Sequence, residues 1–147
     1  MYSVVVLWAP DSADNRRVVE TVGRALEQQK VALTVKSAAE ATIADVTAAD
    51  IVVFGSQKIA SVEVPPEYSE LLRIFKGITL AGRTAGFFSM GADRATQRLR
   101  KALKDTEIAQ AEEDPLFADQ KAGAGSSVTE WAQRIVAVHQ ETHNARA

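Results

Sequence analysis

Val4-Val5-Val6-Leu7-Trp8 runs directly into Ala9-Pro10-Asp11-Ser12-Ala13-Asp14-Asn15, and this opening decides the fold. An unbroken run of β-branched, aliphatic and aromatic residues, with no polar alternation, is the pattern of a strand covered on both faces in the middle of a parallel sheet. The polar stretch from Pro10 to Asn15 ends it. Beyond that stretch Val18, Val19, Val22, Ala25 and Leu26 recur at helical spacing, while Arg16, Arg17, Glu20 and Gln28 take the other face.

The same unit repeats down the chain. Val31, Leu33 and Val35 alternate with polar or small residues as a less buried second strand, and a short helix is expected around Thr42 to Ala48. Ile51-Val52-Val53-Phe54 is a second fully buried run, stopped by Gly55-Ser56. Pro65-Pro66 opens a helix carrying Tyr68, Leu71, Leu72 and Phe75 on one face, with Gly77 placed to stop it. Thr84 to Ser89 reads as a fourth strand, Ala92 to Lys104 as a helix, and Glu107 to Ala111 as a fifth strand. Glu112 to Gly125 is irregular. The final helix is expected to start at Ser127, where Ser127 and Glu130 form a capping box ahead of Val128, Trp131, Ile135 and Val138.

Five strands alternating with five helices imply right-handed parallel crossovers and helices on both faces of the sheet. The expected architecture is a three-layer, doubly wound α/β domain of five parallel strands in the order 2-1-3-4-5. One domain spans residues 1–147, with a core over about 3–140 and a frayed tail over 141–147. Ligands in this topology sit beyond the carboxyl ends of strands one and three, where the order reverses. The loops that matter are therefore Ala9 to Asn15, Ser56 to Val64 and Ser89 to Ala95.

Composition excludes several chemistries. With no cysteine, the chain has no disulfide, thiolate metal site or cysteine nucleophile. A formal net charge of -2 supplies no field for nucleic acid or an anionic membrane, and no apolar run approaches the ~20 residues of a membrane span. A cytoplasmic location is the expectation. No glycine-rich dinucleotide or Walker motif follows any strand. A receiver domain needs an acceptor Asp where this chain has Gly55-Ser56-Gln57. Ser89 follows a strand, yet Gly86-Phe87-Phe88-Ser89-Met90-Gly91 is not a nucleophile elbow. His139 and His143 lack a third metal ligand and are read as part of a solvated tail. The basic helix bearing Arg94, Arg98, Arg100, Lys101 and Lys104, and the run Glu112-Glu113-Asp114, are read as solvated surface. Trp8, Tyr68 and Trp131 each fall within an apolar period and are read as core.

The strand-loop-helix opening, the stretch Asp50 to Ser56, the segment Phe75-Lys76-Gly77-Ile78-Thr79-Leu80-Ala81-Gly82-Arg83-Thr84 and the ending Val128-Thr129-Glu130-Trp131-Ala132 together resemble a short-chain flavodoxin. The resemblance covers essentially the whole chain and lies in the order and spacing of segments. It implies FMN as cofactor, single-electron transfer as activity with no catalytic side chain, and a redox protein as partner. The flavodoxin phosphate loop, roughly [ST]-x-T-G-x-T, corresponds to Pro10-Asp11-Ser12-Ala13-Asp14-Asn15. Ser12 and Asn15 keep side chains able to donate to phosphate, Ala13 stands where the family has Gly, and Asp11 and Asp14 bring two carboxylates. Either carboxylate is expected to cap the first helix itself. The flavin ring would lie against Ser56, Gln57, Lys58 and Ile59 after strand three and Ser89, Met90, Gly91 and Ala92 after strand four. None of these is aromatic, which leaves Ile59 or Met90 to stack on it. The alternative is a flavin-free domain of the same fold that serves as a binding or regulatory module.

Overall fold

The computed structural model describes residues 1–57, 64–90, 96–111, 116–117 and 126–146. The sheet is parallel throughout and its strand order is the expected 2-1-3-4-5. Its members are β1 (Ser3–Ala9), β2 (Ala32–Ser37), β3 (Ile51–Ser56), β4 (Thr84–Ser89) and β5 (Ala109–Gln110), with a further pair, β6 (Leu116–Phe117), on β4. The helices are α1 (Ala13–Glu27), α2 (Ile43–Thr47), α3 (Ser69–Phe75), α4 (Gln97–Leu103) and α5 (Ser126–Arg146). Among the described residues no helix is long and apolar enough to cross a membrane.

Every residue of β3 and β4 is buried, as is β1 from Val4 onward, because helices cover both faces of these strands. Val4, Val6 and Trp8 face one core with Val18, Val22 and Leu26 of α1 and Trp131 and Ile135 of α5. Val5, Leu7 and Ala9 face a second core with Val46 of α2, Leu71 and Phe75 of α3, and Leu99 and Leu103 of α4. The period-two alternation of a strand thus assigns odd and even residues of β1 to different helix layers. β2 is the sheet edge, and its Val35 is 43% exposed rather than packed as the alternation implied. Asp50, just ahead of β3, clasps the start of β1: its carboxylate accepts from Ser3 N at 2.9 Å, while its own N–H donates to Ser3 Oγ at 3.0 Å.

β5 starts later than the expected strand Glu107 to Ala111. Glu107 adopts a left-handed φ of 67° and cannot begin a ladder, so only Ala109 and Gln110 pair with Thr84 and Ala85. Leu116 and Phe117 take up the pairing again opposite Phe88 and Ser89. The outward carbonyls of β4 are nevertheless satisfied in sequence. Ala109 N donates to Arg83 O at 3.0 Å and Ala111 N to Ala85 O at 2.9 Å, and across the gap the Trp131 indole Nε1 donates to Phe87 O at 3.1 Å. Trp131 is fully buried and meets Phe88 edge to face.

Helix ends differ from the sequence reading in three places. Helix α5 begins at Ser126, so Ser127 lies inside it rather than at its cap. Gly77 follows α3 without a left-handed φ; the turn that needs one is at Gly82, where φ is 88°. Helix α5 also continues through Arg146, and His139 is not solvated: it is 2% exposed. His139 Nδ1 lies 2.9 Å from Thr84 Oγ1, and the Tyr2 ring meets the imidazole edge on, 4.6 Å between centroids.

Burial lowers the His139 pKa from its ordinary value, opposed by the Asp50 carboxylate and assisted by His143. The folded state therefore prefers neutral imidazole. The stability this contributes is complete above about pH 6.5, the unfolded value, and is lost as pH falls from there through the lower folded value. Thermal melts between neutral pH and about pH 5 should show a steeper loss for the wild type than for His139→Gln. Parallel curves for the two proteins would show that His139 carries no such linkage.

Candidate functional site

The carboxyl ends of β1, β3 and β4 form one edge of the sheet, tied together by Gln57 N donating to Ala9 O at 3.2 Å and Met90 N to Ser56 O at 2.9 Å. Above β1 the chain turns through Pro10 and Asp11 into α1. The cap of α1 is Ser12, neither Asp11 nor Asp14: its backbone is extended (φ -138°, ψ 159°) and its Oγ accepts from Asn15 N at 3.1 Å. Asp14 remains exposed in the first turn, where a carboxylate still suits the positive end of the helix dipole.

Asp11 has a different partner. Its two oxygens accept from Arg16 Nε at 2.7 Å and Nη2 at 3.0 Å, a forked, two-point ion pair at the surface. The guanidinium holds the Asp11 carboxyl below the usual carboxylate range, and Asp11 in turn raises Arg16. The positive charge that Arg16 brings to this loop is thus already neutralised within it.

Asn15 is 4% exposed and is the hub of the edge. Its Nδ2 donates to Pro10 O and to Gln57 Oε1, both at 3.0 Å, so both amide protons are spent joining the first turn of α1 to the loop below it and to the end of β3. The sequence marked Asn15 as a phosphate donor; the structure uses it as a cross-brace.

Beneath the edge, Ser56 and Ser89 stand opposite each other in the β3–β4 register. Both are fully buried, and neither hydroxyl has a hydrogen-bond partner among the described residues. By strand alternation they share the face of Ala9, Phe54 and Phe87. Tyr68 closes that face from below. Its phenol lies 2.7 Å from Gly55 O and 3.0 Å from Leu7 O, donating between the two strands, and burial above all raises its pKa well beyond the usual tyrosine value. Tyr68 is therefore neutral and structural, like Trp8 and Trp131, which are also buried.

Of the remaining expected ligand contacts, Ala13 is exposed in the first turn, Gln57 is engaged by Asn15, and Met90 is 1% exposed and packed in the α1–α5 core. Lys58, Ile59, Gly91 and Ala92 lie outside the described residues, as do Glu112 to Asp114. Among the described residues no three of His, Asp and Glu gather as a metal site.

No family model matches the chain, and no curated protein matches it in sequence. Solved structures do match in shape. A short-chain flavodoxin associated with a non-canonical PDU bacterial microcompartment superimposes with a TM-score of 0.83 at 18% identity, over 95% of this chain and 99% of that one. Oxidised flavodoxin 1 from Bacillus cereus gives 0.77 at 13% identity, over 92% and 97%. A Fusobacterium nucleatum flavodoxin bound to flavin mononucleotide gives 0.74 at 9% identity, over 93% and 98%. The likeness extends over nearly the full length on both sides and includes the strand order described above; this chain has the flavodoxin fold.

Proposed function

We propose that this chain is a binding module of the flavodoxin fold whose phosphate cradle is closed by its own side chains, so that FMN is not its resident ligand. The observation that carries this reading is the hydrogen-bond economy of residues 11 to 16. A phosphate dianion at a helix start needs donors. Here the Asn15 N–H is spent on Ser12 Oγ, both protons of Asn15 Nδ2 are committed, and Asp11 holds Arg16. The Ser12 hydroxyl keeps its own proton to donate, but the exposed Asp14 carboxylate beside it repels an anion. Ligand binding would require breaking these contacts before making new ones.

A second reading keeps FMN and single-electron transfer to a redox partner. It is favoured by the two buried hydroxyls of Ser56 and Ser89, which have no hydrogen-bond partner among the described residues and sit at the strand ends where a ring edge would approach. It also draws on the Fusobacterium nucleatum neighbour, which is bound to flavin mononucleotide.

One paired experiment separates the two. Asp11→Thr/Asp14→Thr removes both carboxylates and frees Arg16, which should raise FMN affinity by at least about tenfold, or about 1.4 kcal/mol. Isothermal titration of wild type and variant with FMN measures it. Equal or weaker binding by the variant would refute the assignment of closure to these side chains.

A further inference from the structure

The basic helix α4 borders a trough between itself and α3 with a volume of about 490 Å³. Its floor is Leu72, Phe75 and Ala102, and its rim carries Lys76, Arg98 and Lys101 against a single acid, Asp105. Helix α4 itself contains no acidic residue in its first turn, and its last turn is basic. This concentration of positive charge stands on a chain whose formal net charge is -2, so it is local. Neither Lys76 nor Lys101 has an ion-pair partner among the described residues, and both are exposed. Arg100 takes no part in the rim: its guanidinium lies 5.0 Å from the centre of the buried Phe87 ring.

We propose that this trough docks an acidic, amphipathic segment of a partner protein, with apolar side chains on Leu72 and Ala102 and carboxylates facing Lys76 and Lys101. Three features select that occupant. Leu72 and Ala102 are half-buried, and an apolar floor between cations suits a chain that alternates apolar and acidic groups better than a bare anion. Lys76 directly follows α3 and Asp105 lies two residues past α4, so the trough reaches the carboxyl ends of both helices, which offer no backbone N–H cradle for a compact dianion. The lysine heads on flexible stems reach separated carboxylates instead. Crossover helices run antiparallel to their strands, so these helix ends lie toward the amino edge of the sheet. The trough is therefore independent of the mouth near Asp11 to Asn15 and of whether that mouth takes FMN.

The test is an amide-resolved NMR titration of the full chain with a short synthetic helix of Glu, Ala and Leu, its leucines spaced three and four apart. Saturable shifts confined to α3 and α4, centred on Leu72, Lys76, Lys101 and Ala102, are expected. They should weaken at least about tenfold with Lys76→Glu/Lys101→Glu, and that variant should instead bind the peptide in which Lys replaces Glu. On the wild-type protein, replacing the peptide leucines with Ser should abolish binding, and added salt should weaken it. Shifts that do not saturate by about 1 mM peptide, meaning a Kd weaker than about 1 mM, would overturn the proposal, as would shifts mapping to other elements. So would an equal response to inorganic phosphate, a single-stranded RNA or phosphatidylglycerol vesicles.

Discussion

Gly55→Ala should destabilise this protein by about 2–3 kcal/mol, even though it adds one methyl group in a strand. A Cβ at Gly55 would collide with the ring of Phe88, meeting Cζ and standing 2.5 Å from Cε2 and 2.7 Å from Cε1. The ring has no room to retreat. Phe88 is fully buried, packs edge to face on Trp131, and belongs to a strand paired residue by residue with β3. Gly55 is thus a space that Phe88 fills from the neighbouring strand. For a domain of this size the cost corresponds to a fall in Tm of about 6–12 °C. Phe88→Leu in the same chain should recover part of it, giving a double variant more stable than the sum of its parts. A Gly55→Ala protein that melts with the wild type would show that the strands separate more easily than this packing allows.

Trp131→Ala should cost more, about 3–5 kcal/mol, because it empties a fully buried site between α5 and the sheet. Against a total of about 5–15 kcal/mol for a typical domain, that leaves little reserve. Trp131→Phe separates the two contributions. It keeps most of the packing but removes the indole N–H from Phe87 O, at the gap between β5 and β6 where no backbone donor replaces it among the described residues. A buried carbonyl left without its partner costs about 1–3 kcal/mol. Urea unfolding of both variants measures the split. If Trp131→Phe unfolds at the wild-type midpoint, the indole bond is not what closes the fifth edge.

The parts of the fold legible in the sequence were those set by burial on two faces. Val4 to Trp8 and Ile51 to Phe54 are apolar without alternation because each strand meets a different helix layer on each side. That local fact is enough to place them centrally and, with the helices between, to order the sheet. What depended on distant partners was not legible. Asp11, Ser12 and Asp14 are all good caps, and the choice among them rests on where Asn15 is anchored, which Gln57 decides from 42 residues away. His139 stands where Val136-Ala137-Val138 gives way to the polar run Gln140-Glu141-Thr142, and it is Thr84 and Tyr2, distant in sequence, that bury it. The late start of β5 follows from the left-handed Glu107, a residue type that gives no warning of such a φ.

The candidate site was legible as a place and much less as chemistry. The reversal of strand order between β1 and β3 puts a mouth at residues 9 to 15 whatever fills it. Residue types there suggested donors for a phosphate. The structure shows the same side chains bonded to one another: Ser12 to its own helix, Asn15 to Pro10 and Gln57, Asp11 to Arg16. A donor read from sequence is available only if nothing nearer claims it, and in this loop the Asn15 amide and the Arg16 guanidinium are claimed.

The closed cradle is tested most directly by adding FMN to the purified wild-type chain and following flavin fluorescence. The account predicts no saturable quenching at tens of micromolar FMN, at ionic strength near 0.15 M where exposed charges are normally screened. Stoichiometric quenching with a micromolar or tighter Kd would contradict it, showing that the loop opens its Asp11–Arg16 and Asn15 contacts for the phosphate.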